Sequence, residues 1–133
     1  MTKTIRILVA NRPKLMRDLV VSILTEQPDM ELVGEVSEEE EEDIPRRIRE
    51  TTPDLIVIAL QDPFRPPALC ETVLHQYPDV AVIAVAEQAN RCVCYWAVAN
   101  IESRAIELSE RGFLAAVRNM AERIGTQSRY ASS

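Results

Sequence analysis

The stretch PDLIVIALQDP, residues 53–63, decides how the rest of the chain is read. Pro53 and Asp54 open it, LIVIAL fills it, and Asp62 and Pro63 close it. A short, unbroken apolar run between turn residues is a strand covered on both faces, the kind found in parallel sheets. Such a strand commonly delivers a reactive group at its tip. This one ends on Ala59 and Leu60, and the first carboxylate, Asp62, lies beyond the strand.

Similar runs stand on either side. IRILVA at 5–10, MELVGEV at 30–36 and VAVIAVA at 80–86 are further strands, and 103–106 predicts a short fifth. Helical patterns separate them. Pro13 suits a first turn, and Leu15, Leu19, Ile23 and Met16, Val20, Leu24 recur at i, i+4 until Gln27-Pro28. Pro45 opens a second helix carrying Ile44 and Ile48. Pro63, Pro66 and Pro67 lead into a third, which runs to Tyr77 with Leu69, Val73 and Leu74 inward. Residues 110–124 predict a last helix, with Phe113, Leu114, Val117, Met120 and Ile124 inward and Gly125 as its stop. NRCVCYWAVA, residues 90–99, is apolar all round and fits either a buried helix or a strand.

Strands alternating with helices predict an α/β domain with a parallel sheet, helices on both faces and right-handed crossovers. Sites in such sheets gather at the carboxyl ends of the strands. That names the candidates: Asn11 and Arg12, then Ala59 to Asp62, then Ala86 and Glu87, then Ile106 or Glu107.

The bulk properties restrict the chemistry. A chain of 133 residues, 47% hydrophobic and 27% charged, suits one domain at 1–124 with 125–133 as a polar tail or the start of a linker. A net charge of −6 and a pI near 4.9 disfavour direct binding to nucleic acid. No apolar run reaches membrane-spanning length, and the first residues form a strand pattern rather than a signal peptide, so the expected location is cytoplasmic. Three cysteines (Cys70, Cys92, Cys94) and one histidine (His75) do not make a tetrahedral zinc set, and buried structural thiols are expected. No resident cofactor is expected. Three glycines leave no phosphate-cradling loop. EEEEED at 38–43 reads as a solvated segment before a helix, with a cation or basic-partner patch as the alternative.

Over about residues 4–124 the chain resembles the receiver domain of two-component response regulators. IRILVANRPKLMRDLVVSIL, PDMELVGEV, PDLIVIALQDP and YPDVAVIAVAE stand in that family's order and spacing, closest to receivers that precede a helix-turn-helix DNA-binding domain. The resemblance implies a flavodoxin-like, three-layer fold with five parallel strands in the order 2-1-3-4-5. It also implies phosphoryl transfer from a histidine kinase to an aspartate beside a magnesium ion. The matching positions lack that chemistry. The acidic pair falls on Asn11 and Arg12, the phosphoacceptor on Ala59, the hydroxyl residue on Ala86 and the lysine on Ile106. A guanidinium at Arg12 stays charged, cannot coordinate magnesium and would repel it. Two placements stay open for Arg12: paired with Asp62 or Glu87 as a fixed lock, or turned to solvent.

The expectation is therefore a pseudo-receiver: not an enzyme, and a module that acts by protein–protein contact without phosphorylation. The partner would be another protein or a second copy, met through the region of the fourth and fifth elements, with Tyr95 and Trp96 on the interaction face. A DNA-binding output domain would lie outside this chain. Two alternatives are a sensor of apolar ligands in the same fold and an atypical phosphoacceptor receiver that uses Asp62.

Overall fold

The quoted run forms β3 (Leu55–Ala59), an interior strand of a six-stranded sheet. The structure, a computed structural model, describes residues 4–10, 14–37, 42–59, 68–86, 91–97, 101–107 and 109–131. The other strands are β1 (Ile5–Ala10), β2 (Met30–Glu35), β4 (Ala81–Ala86), β5 (Arg91–Ala97) and β6 (Ile101–Glu107). The helices are α1 (Lys14–Thr25), α2 (Ile44–Thr51), α3 (Ala68–Gln76) and α4 (Glu110–Ala131). The sheet order is β2-β1-β3-β4-β5-β6.

The first four strands pair in parallel, as the sequence predicts. Their continuous apolar runs follow from cover on both faces. Ile7, Val9, Leu55, Val57, Ile83 and Val85 face one layer, formed by Met16, Val20 and Leu24 of α1 and by Phe113, Val117 and Met120 of α4. Leu8, Ile56, Ile58, Val82 and Ala84 face the other, formed by Ile44 and Ile48 of α2 and by Cys70, Val73 and Leu74 of α3. Asp54 ties the amino ends together. Its carboxylate accepts from the Arg6 amide (3.0 Å), its amide donates to the Arg6 carbonyl (2.8 Å), and its carbonyl accepts from the Ala81 amide (3.0 Å).

The remainder of the sheet corrects the expectation of five parallel strands in the order 2-1-3-4-5. β5 pairs antiparallel with β4, and β6 pairs antiparallel with β5. Chain length supplies the physical reason. Ala86 lies opposite Arg91, and Ala97 opposite Ile101. Only residues 87–90 and 98–100 link these strands, whereas a parallel crossover needs a dozen residues or more. Two further details differ from the sequence pattern. α4 continues past Gly125 to Ala131, and Leu19, on one of the two α1 stripes, is 53% exposed. The stripe of Met16, Val20 and Leu24 is the buried one.

No helix among the described residues is long and apolar enough to cross a membrane.

Candidate functional site

The carboxyl edge of the parallel strands carries small apolar side chains. β1 ends on Ala10, β3 on Ala59 and β4 on Ala86. Ala10 and Ala86 are buried and Ala59 is partly so. The tips of the two strands flanking the expected phosphorylation position therefore bring neither carboxylate nor hydroxyl. Asn11, Arg12, Asp62 and Glu87 lie outside the described residues.

Ile106 stands apart from these tips. Pairing runs from Ala59 to Val85, from Val85 to Cys92, and from Cys92 to Ile106. Two strand spacings, about 10 Å, thus separate Ile106 from β4. The inserted strand β5 removes it from the neighbourhood where a receiver-like sheet would place it. The described residues do not bring Ala59, Ala86 and Ile106 into one pocket.

Tyr95 and Trp96 separate as well. Neighbours on a strand point to opposite faces. Tyr95 is buried in the α2/α3 layer, and Trp96 is half-buried in the α1/α4 layer. This accounts for the all-round apolar character of 92–96. The segment is a strand with α3 on one side and α4 on the other, so both residue parities are apolar.

An open space lies elsewhere among the described residues, beside α4. A groove of about 440 Å³ runs between that helix and the β5–β6 hairpin. Cys94, Trp96 and Ile106 form its floor. Gly112, Ala115, Ala116 and Asn119 form its helical wall, and Met120 closes the inner end of that wall. Their spacing of i, i+3, i+4, i+7 makes one stripe of small residues beside the buried stripe of α4. Ser109 and Arg111 sit at the start of the helix wall. The Ser109 hydroxyl accepts from the Gly112 amide (3.0 Å) and its carbonyl from the Phe113 amide (2.8 Å), which fixes the first turn of α4. Farther along, Arg118 donates through Nε to one carboxylate oxygen of Asp29 (2.9 Å), and through Nη2 to the other (3.2 Å) and to Gln27 Oε1 (3.0 Å). That fork pins α4 to the turn between α1 and β2 and holds the groove's wall in place.

Burial pushes the Cys92 thiol up to about 12, with Cys94 nearby adding to it, so Cys92 is a poor nucleophile at neutral pH. Cys70, across the sheet, is pushed up to about 12 by burial and then by Glu71. Cys70, Cys92 and Cys94 are buried and form no disulfide, in line with the sequence expectation. His75 is exposed on α3, in the layer opposite the groove. No cluster of three or more His, Cys, Asp or Glu side chains suited to a metal ion occurs among the described residues. The groove volume is within the range that accepts small ligands, and its floor offers an aromatic and an aliphatic surface.

Sequence reasoning named Trp96 and Ile106 but missed the helical wall. Its signal was present in the small residues at 112, 115, 116 and 119. They stand out only once the β5–β6 hairpin is known to lie across from them. A scan of the chain against protein-family models gives no match, and a search of curated proteins gives none either.

Proposed function

We propose that this chain is a receiver-like regulatory module that works by protein–protein association and not by phosphorylation. The observation that carries the proposal is the pair of alanines, Ala59 and Ala86, at the tips of adjacent parallel strands. Phosphoryl transfer to a strand tip needs a carboxylate there, and stabilising the product needs donors beside it. The order of the first four strands, 2-1-3-4, supports the likeness to a receiver. The β5–β6 hairpin is where the chain departs from that pattern, and it supplies the surface proposed for association, together with α4. Trp96 is the anchor on the α4 side, since half-buried aromatic residues in a groove are common binding centres.

A second proposal rests on the groove itself. Its volume and the surfaces of Trp96, Ile106 and Met120 favour a small apolar ligand there rather than at the strand tips. An atypical phosphoacceptor role for Asp62 remains the third alternative, and only a phosphorylation assay addresses it.

Light scattering over a concentration series, with and without a small phosphodonor and magnesium, tests the first proposal. Association that depends on concentration and ignores the phosphodonor is the expected result. Size that changes only on phosphodonor treatment would overturn it. A rise in melting temperature with apolar ligands, lost in Trp96→Ala, would favour the second.

A further inference from the structure

The groove beside α4 runs against the charge of the chain. The whole sequence carries −6. Among the described residues that line the groove there is a cation, Arg111, and no carboxylate. Glu110 comes one residue before it but lies about 200° around the helix from Gly112, on the side away from the small-residue wall. Arg111 is exposed and makes no hydrogen bond or ion pair among the described residues. Arg118, farther along the same helix, is committed to Asp29 and Gln27. Ser109 stands beside Arg111 at the groove's mouth. Its hydroxyl oxygen accepts from the Gly112 amide (3.0 Å), which leaves its proton to donate. Both groups sit at the start of α4, where the helix dipole also favours negative charge.

Shape restricts the rest of the ligand. Gly112, Ala115 and Ala116 project at most a methyl group, so the helical wall is low and flat. Trp96 and Ile106 form the floor against it. A slot between an indole and a wall of methyl groups suits a planar apolar body better than a branched one. Arg111 and Asn119 stand eight residues apart, about 12 Å along the helix. An acid group on two fused rings fits that span.

We infer that the groove binds a small planar aromatic acid, whose carboxylate accepts from the Arg111 guanidinium and the Ser109 hydroxyl while its rings lie over Trp96 along Ala115 and Ala116. This rests on the ligand reading of the groove proposed above and adds a charge and a shape to it. Both polar partners are exposed, so the acid is expected to bind about fivefold tighter than its neutral amide, the size of effect an exposed charge pair supplies.

Trp96 is the only tryptophan, so a single indole N–H signal in nitrogen–proton NMR reports on the groove. The whole chain is titrated with naphthalene-2-carboxylate and, separately, with naphthalene-2-carboxamide, which shares its rings and lacks its charge, each to about 1 mM. The expected result is a shift of the indole signal by both, with the acid about fivefold tighter. Arg111→Gln is expected to remove that advantage and leave amide binding unchanged. Ala115→Leu, which fills the slot, is expected to weaken both compounds. Both substitutions are at exposed positions of α4, and wild-type melting curves confirm that the fold is kept. An amide that binds as well as the acid overturns the charge assignment and leaves the apolar-ligand reading standing. So does an acid that keeps its advantage in Arg111→Gln. Binding of both compounds that Ala115→Leu does not weaken overturns the placement along α4. An indole signal that neither compound moves overturns the inference and the ligand reading together.

Discussion

Alkylation of the three thiols at pH 8 reports directly on whether 91–97 is an inner strand. Cys92 is fully buried beneath α4, and its thiol is pushed from an ordinary 9.0 up to about 12. Cys70, beneath α3, is shifted to the same extent. At pH 8 an ordinary thiol is about one-tenth thiolate, and one at 12 is about one ten-thousandth, so the nucleophile is depleted about a thousandfold. Lack of access adds to this. A reagent meets a buried thiol mainly through opening of the fold, whose population for a domain a few kcal/mol stable is at most about one in a thousand. Cys94, 4% exposed on the same face as Cys92, is protected by burial. The assay is mass-resolved alkylation of native and denaturant-unfolded protein. Native modification of Cys70 and Cys92 is expected at least about a thousandfold slower than in the unfolded chain. If Cys92 reacted at close to the unfolded rate in the native protein, 91–97 would not be a covered strand, and the groove built on it would fall.

The same thiols set the alkaline limit. Their raised values mean that folding stability is complete below pH 9.0 and is lost as pH climbs toward about 12, at about 1.4 kcal/mol per pH unit for each thiol; urea titrations between pH 8 and 10.5 will show it. At the acid end, the Arg118 hydrogen bonds hold the Asp29 carboxyl below its ordinary 3.8, so that contribution is present above 3.8 and is lost as pH falls through the lowered value. Arg118→Ala should cost about 1 kcal/mol at pH 7, kept small because both partners are partly exposed, and should flatten the acid limb of the urea profile. Thr52 ends α2 with φ 45°, a left-handed conformation that a β-branched residue holds at a cost. Thr52→Gly keeps the amide bond to the Ile48 carbonyl and should raise stability by about 0.5–1 kcal/mol, read as a higher midpoint in thermal melts.

The four parallel strands were legible because each is a continuous apolar run set between turn residues and separated by helix-length segments. The hairpin was not. Buried on both faces, 92–96 shows no alternation, and periodicity alone cannot distinguish such a segment from a buried helix. The usable signals were local: Asn90 and Asn100, a turn-favouring residue type, bracket a run with β-branched and aromatic residues, and there are too few residues for a crossover. The alanine tips at Ala59 and Ala86 were readable as strand ends. The groove was not, because it lies between α4 and a hairpin whose antiparallel pairing the apolar pattern does not reveal. Tyr95 and Trp96 look like one patch in sequence and lie on two faces in space, since a strand alternates its side chains.

The central claim is that this chain needs no phosphoryl group. Intact mass spectrometry after incubation with acetyl phosphate and magnesium tests it most directly. An unchanged mass is predicted, because Ala59 offers no acceptor at the tip of β3. A gain of one phosphoryl group that disappears in Asp62→Ala would contradict the claim and make the chain a working receiver with a displaced acceptor.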